Sequence, residues 1–209
     1  MAGVLPPASF ASSRLELGSV RAGSRWKRIS WRAFTDPLGF GHAPSRFGDP
    51  RTDRPEAERY AVVYLGTSTS VCFLEAVLRD RAVGTFDGFA LGMTELADRT
   101  IATIEVRRDL NVLDLTGDGI IRAGIPTDAV RASDQTLGRA WALAIHEHAA
   151  KADGILYDSR LNGERNLAVF QRSIESGLAV VERRPLLDDP EMIMVLDRFA
   201  VAICDTPTR

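Results

Sequence analysis

The stretch from residue 61 to about residue 80 constrains the fold most. Residues 61–65 (AVVYL) form a short apolar run of β-formers, with charge before it and Gly66 after it, and read as a buried strand. Residues 67–70 (TSTS) then offer N-cap hydroxyls, and Val71, Leu74, Val77 and Leu78 recur at helical spacing. A strand, a tight glycine turn and a helix are therefore expected in one block. Further strands are expected at 29–34, 100–106, 112–115, 155–157, 167–171 and 178–182. A long helix is expected from a Ser133 cap to a stop at Asp153 and Gly154, and a last helix from Asp189 and Pro190 to about Asp197. Residues 115–128 read as a loop with one helical turn, and 199–204 as a final apolar segment. These elements mix without regular βαβ alternation, which points to α+β rather than a doubly wound sheet.

With 209 residues and 45% hydrophobic content, the chain suits one domain that needs no disulfide or zinc staple. Lys and Arg total 26 against 28 Asp and Glu, a net charge of −2. That balance argues against a general nucleic-acid coat or an anionic-membrane binder. Cys72 and Cys204 are too few for a disulfide framework or a four-ligand zinc site and read as reduced thiols. No apolar run approaches the ~18 residues of a membrane span. Pro6 and Pro7 break the opening segment, which reads as neither signal peptide nor anchor, so a cytoplasmic protein is expected. Residues 1–24 read as a partner-contacting extension, with a short helix in SSRLELGSV (12–20).

Residues 35–59 hold four prolines and three glycines and suit no regular element. A loop this long is often functional, and it carries His42, Arg46, Arg51, Arg54 and Arg59. Other signals are set aside. GFGHAP has Pro44 where a dinucleotide fingerprint needs its third glycine. His146 and His148 diverge by about 200° on a helix and cannot share a metal, so they read as surface or cap residues. Asp114, Thr116 and Asp118 lack the rest of a calcium loop and read as an ordinary turn. No metal site is expected.

Three features converge instead: Arg46 in PSRFGDP, Tyr64 followed eleven residues later by Glu75, and Tyr157-Asp158-Ser159-Arg160 followed by Asn166-Leu167-Ala168-Val169-Phe170. On a helical wheel Glu75 lies about 40° from Val71 and about 60° from Leu78, on the flank of the buried stripe. A carboxylate there needs a partner or a purpose. The helix pattern alone favours a salt bridge to Arg79 or a loop arginine; Tyr64 alone would be core with its hydroxyl at the rim, and Ser159 alone a turn residue or cap.

In order and spacing these features resemble the RES domain family, named for an Arg, a Glu and a Ser. The resembling segments are Trp31-Arg32-Ala33-Phe34, Ser45-Arg46-Phe47, Val63-Tyr64-Leu65, Leu74-Glu75-Ala76-Val77-Leu78, the Ser159 segment and the Asn166 run, over about residues 30–185. The chain departs from the family in having Pro44 and Ser45 where glycines usually precede the arginine, and in a longer stretch from Arg46 to Tyr64.

The resemblance implies an α+β, ADP-ribosyltransferase-like core over residues 25–209. It also implies a toxin of a toxin–antitoxin pair that cleaves the nicotinamide–ribose bond of NAD⁺, by hydrolysis or phosphorolysis. NAD⁺ would be a substrate, with no cofactor or metal required. The implied catalytic set is Arg46, Tyr64, Glu75 and Ser159, with Arg32, Arg160 and Asn166 binding substrate. In this picture Arg46 grips a phosphate, Tyr64 stacks on nicotinamide or contacts the ribose, Glu75 steadies the oxocarbenium-like ribose, and Ser159 binds the amide or a phosphate. The implied partner is a helix-turn-helix antitoxin that covers the site, with no direct nucleic-acid or membrane contact; homodimerisation is left open. Two alternatives stand beside this reading: ADP-ribosyl transfer to a macromolecule, and a non-catalytic partner-binding module.

Overall fold

The computed structural model describes residues 4–81, 83–86 and 88–205. Its strands are β1 (Leu17–Val20), β2 (Arg25–Trp31), β3 (Val62–Gly66), β4 (Phe89–Gly92), β5 (Arg99–Val106), β6 (Leu110–Asp114), β7 (Gly154–Asp158), β8 (Arg165–Phe170), β9 (Leu178–Pro185) and β10 (Val201–Cys204). Its α-helices are α1 (Thr69–Phe73), α2 (Met93–Ala97), α3 (Gly119–Arg122), α4 (Asp128–Arg131), α5 (Thr136–Glu147), α6 (Ile174–Gly177) and α7 (Met192–Arg198). The α+β class expected from the sequence is the class observed.

Eight strands form one sheet in the order β1-β6-β7-β8-β3-β2-β5-β9, and β4 and β10 form a small parallel pair. Every neighbour in the large sheet is antiparallel except β6 and β7. β2 and β5 run in register along the whole of β2, whereas β2 and β3 meet at a single pair, Lys27 opposite Gly66. The sheet is therefore two plates joined at a seam. Side chains alternate across a strand. One face of the larger plate presents Val62, Ala168, Phe170 and Ile155 to Trp141, Ala142 and Ile145 of α5. The other face packs Val63, Leu65, Leu167 and Val169 with Ile104 and Val106 of the smaller plate. A third core joins α1 to Ile29, Ile101, Leu91 and α7.

The strand–glycine–helix block forms with one refinement. Ser68 caps α1, its hydroxyl accepting from Val71 N–H at 3.1 Å. After Phe73 the helix widens into one π-turn, Leu74–Leu78, closed by Arg79 N–H on the Leu74 carbonyl at 2.7 Å. Such turns recur at functional sites.

Several elements differ from expectation. Residues 12–20 do not form a helix: residues 17–20 become β1, and Phe10 is buried in the core against Trp141 at 5.1 Å, so the N-terminal segment is built into the fold. The strand expected at 29–34 starts at Arg25 and stops at Trp31. α5 starts after Gln135 rather than Ser133, because Asp134 Oδ1 accepts from Thr136 N–H at 2.8 Å. It ends at Glu147, because His148 turns extended and its ring is buried, Nε2 paired with the Ser13 carbonyl at 3.1 Å. His146 is no surface residue either: it stacks on Tyr60 at 4.1 Å, and burial, with Arg172 and Arg51 nearby, pulls its pKa down to about 4. Asp114 makes the expected turn, its Oδ1 accepting from Thr116 N–H at 2.9 Å.

Candidate active site

The seam between the plates opens into a pocket of about 290 Å³. Its floor follows from strand register. Asn166 of β8 stands opposite Gly66 of β3 on one side and Tyr157 of β7 on the other, so these three share a face, and Tyr64, two residues before Gly66, shares it too. Gly66 is required here by close approach: a Cβ would lie 2.6 Å from Val71 Cγ1 and 2.8 Å from Cys72 Sγ. The bare backbone lets the first turn of α1 settle on β3, and this brings Glu75 over Asn166.

Glu75 is held from two directions. Ser159 Oγ donates to its Oε1 at 2.7 Å, and Asn166 Nδ2 donates to the same oxygen at 3.2 Å. Both donors are buried, Ser159 to 4% and Asn166 to 4% exposure. Ser159 opens a tight turn after β7, closed by Gly163 N–H on its carbonyl at 2.9 Å, where Gly163 takes φ +74. Glu164 ties that turn to α1, accepting from the Ser68 hydroxyl. The helix bearing the carboxylate and the turn bearing the serine are thus linked at both ends. Glu75 makes no salt bridge to Arg79 or a loop arginine among the described residues.

Arg46 enters from the long loop at the second position of a turn closed by Gly48 N–H on the Ser45 carbonyl at 3.2 Å. Phe47 anchors this turn, buried to 1% exposure and edge-on to Tyr157 at 4.9 Å. The Tyr64 hydroxyl accepts from Phe47 N–H at 2.8 Å and donates to Ser45 Oγ at 3.0 Å. Burial lowers the Arg46 pKa from its ordinary value, partly offset by Tyr157 and Glu75, and its Nη1 is buried with no hydrogen-bond partner. Burial raises the Tyr64 pKa, so the phenol stays protonated and remains a donor.

The pocket lining includes Arg46, Tyr64, Glu75, Arg160 and Asn166. Ser159 lies behind Glu75, bonded to it. Arg160 is already paired, its Nη2 donating to Asp80 at the end of the Glu75 helix. Arg32 is not brought to the pocket: its side chain is exposed beyond the end of β2, and its backbone bonds Asp98 and Arg183. Arg28, inside β2, lines the seam instead, with Nη1 donating to the Pro37 carbonyl at 2.7 Å. The shift of β2 toward the N-terminus accounts for the exchange. Arg79, Cys72 and Gln135, also at the pocket, carry no comparable sequence signal. Arg79 takes φ +48, a strained conformation for a non-glycine residue at the end of the π-turn. Arg28, Arg46, Arg79 and Arg160 line the pocket beside the Glu75 carboxylate, and of these Arg160 is already paired with Asp80.

An α+β domain with a split sheet, a tethered carboxylate at the seam and an unpartnered arginine beside it defines a class with a small-molecule pocket for a ligand of mixed charge. The RES domain family model matches residues 16–191, and the chain belongs to that family. It is 44% identical over 127 residues to a protein of Sinorhizobium fredii named "Probable toxin y4kH", covering 60% of this chain and 99% of that one. It also resembles a chain in the crystal structure of the M. tuberculosis MbcT–MbcA toxin–antitoxin complex. That match has a TM-score of 0.56 and 21% identity over 80% of this chain and 86% of the other. The likeness carries the fold alone, a mixed α+β core of the class expected from the sequence. No helix among the described residues is long and apolar enough to cross a membrane.

Proposed function

We propose that this chain is the toxin of a toxin–antitoxin pair and degrades NAD⁺ by cleaving the nicotinamide–ribose bond. The observation that carries the proposal is the meeting, in one pocket, of Glu75 clamped by Ser159 and Asn166 with the unpartnered guanidinium of Arg46. NAD⁺ offers both complements: an anionic pyrophosphate for Arg46 and Arg28, and a ribose that turns cationic as its bond to nicotinamide breaks. The electron pair of that bond leaves with nicotinamide. Positive charge develops on the ribose, and Glu75 stabilises it. Water or phosphate then forms the new bond at the ribose carbon, and an attacking water releases its proton to Glu75 or solvent.

Fixing the carboxylate in advance matters, because no reorganisation is then required as charge develops. The serine and asparagine hold the carboxylate, which leaves no need for either to reach the nicotinamide. At about 290 Å³ the pocket lies at the low end of the ~300–1,000 Å³ of ligand sites. In this reading the pocket takes the reacting end of the dinucleotide and the adenosine end extends outward. The partner in this reading is an antitoxin of the helix-turn-helix type; the toxin names of the relatives support the pairing.

The test is nicotinamide release from NAD⁺ by the purified protein, with and without phosphate, beside a Glu75→Gln variant. Release that falls at least about a hundredfold in Glu75→Gln is expected. Absence of release in both buffers from folded protein overturns the reading, and label transfer from NAD⁺ to a protein replaces it with ADP-ribosyl transfer.

A further inference from the structure

The guanidinium of Arg46 has one nitrogen with no partner, so nothing at that end fixes where its charge sits. What fixes it is the backbone on either side. The Tyr64 hydroxyl bonds Ser45 Oγ before Arg46 and the Phe47 amide after it, bracketing the arginine from the strand below. From the opposite side, Gly138 of α5 lies flush against the same residue. A Cβ at Gly138 would stand 2.8 Å from the Arg46 carbonyl oxygen, 3.1 Å from Arg46 Cγ and 2.6 Å from the Ala129 carbonyl oxygen. The glycine has no left-handed backbone to explain it, since it lies inside a helix; contact is what it serves. Gly138 is the third residue of α5, and its missing side chain is what lets the first turn of that helix meet Arg46 and Ala129 this closely.

We propose that Tyr64 and Gly138 are positioning residues that together set the Arg46 guanidinium in the pocket, Tyr64 through its hydroxyl and Gly138 through its missing side chain. This gives Tyr64 a role other than stacking on the ligand. Its single O–H is directed to Ser45, and what it offers the ligand comes second to what it does for Arg46. The inference rests on the reading of this pocket as the NAD⁺ site, and deepens it.

The test is a double-mutant cycle of Tyr64→Phe against Arg46→Ala, read in two assays: KM and kcat for NAD⁺, and calorimetric affinity for inorganic pyrophosphate. Tyr64→Phe keeps the ring and removes only the bracket. It is expected to raise KM and the pyrophosphate Kd about tenfold while moving kcat far less. Placed on Arg46→Ala, it is expected to add nothing. Gly138→Ala is expected to show the same KM effect and the same silence on Arg46→Ala; should it not fold, the Tyr64→Phe cycle decides alone. Additive losses, or wild-type values in Tyr64→Phe, overturn the inference. If the wild type releases no nicotinamide, the NAD⁺ reading falls and the pyrophosphate cycle still decides the positioning. If it neither cleaves NAD⁺ nor binds pyrophosphate, both fall.

Discussion

Replacing Gly66 by alanine adds one methyl group where the packing has no room for it. The new Cβ would lie 2.6 Å from Val71 Cγ1, 2.8 Å from Cys72 Sγ and 3.3 Å from Asn166 Oδ1. Val71 is fully buried and Cys72 nearly so, and neither is a long flexible side chain that swings aside. β3 cannot retreat, because Leu65 and Val63 are locked between β8 and the second core. The strain therefore falls on α1, which runs directly into the π-turn that carries Glu75. Overpacking of this kind costs about 1–3 kcal/mol. For a domain of this size that is a fall of roughly 2–4 °C in Tm per kcal/mol. The larger effect is on the site: a shift of a few tenths of an ångström in α1 stretches the 2.7 Å bond from Ser159 to Glu75 and moves the carboxylate off its mark. Misplacement on this scale costs about tenfold or more in rate. The matched control is Gly41→Ala, where a Cβ meets nothing within 4 Å. Thermal unfolding and nicotinamide release, measured on both variants below their Tm, decide the matter. A Gly66→Ala protein with wild-type Tm and wild-type activity refutes the close-approach argument.

Ser159→Ala is expected to lower activity about tenfold to a hundredfold and stability by about 1.5–3 kcal/mol, the range for a hydrogen bond to a charged group, as measured by initial rates and urea unfolding. Asp153 accepts from both terminal nitrogens of Arg108, from Ser173 Oγ and from Asn111 N–H. Asp153→Ala is therefore expected to cost about 3 kcal/mol in urea unfolding, far from the site and with kcat intact in the folded fraction. His146 is held neutral by burial and by Arg172 and Arg51, its pKa about 4 against 6.5 in the unfolded chain. The unfolded chain thus binds the extra proton between those values, so the His146 contribution is full above pH 6.5 and is lost as pH falls toward 4. His146→Gln is expected to flatten stability over that window in urea unfolding at pH 7 and pH 5. Burial pushes the Cys72 thiol up to about 12, so a thiol reagent at pH 8 is expected to leave it unmodified until the protein unfolds, as peptide mass mapping checks.

The block that carries Glu75 was the most legible part of the sequence, because its periodicity changes sharply at Gly66 from strand to helix. The flank position of Glu75 was readable from the wheel, but its partners were not. Ser159 and Asn166 lie more than eighty residues away, and only the register of β3, β8 and β7 brings them near. The π-turn left no trace in the pattern either, since Val77 and Leu78 serve an α- or a π-register equally. β1 is not legible in the sequence, because four residues with mixed burial carry too little alternation to separate strand from helix. β4 and α2 lie in a segment with no clean period and leave no signal in the sequence. The resembling segment Trp31-Arg32-Ala33-Phe34 points to Arg32, but β2 ends at Trp31, and it is Arg28 inside the strand that faces the cleft. Of the two readings the sequence leaves for His148, surface or cap, the structure shows the cap; that it also closes the fold over the N-terminal segment depends on Ser13, far away in sequence.

The seam has a consequence for the order of events on the ribosome. β3 is the edge strand of the larger plate at the seam, and its strand neighbour within that plate, β8, comes from residues 165–170. Arg28, Arg46, Tyr64 and Glu75 all emerge early, yet Ser159 and Asn166, which clamp the carboxylate, come far later in the chain. A nascent chain folds from its N-terminal end as it is made. Every shortened product that stops before residue 159 lacks both clamps and the strand that pairs with β3, so the Glu75 carboxylate is held in place only after β8 has been made.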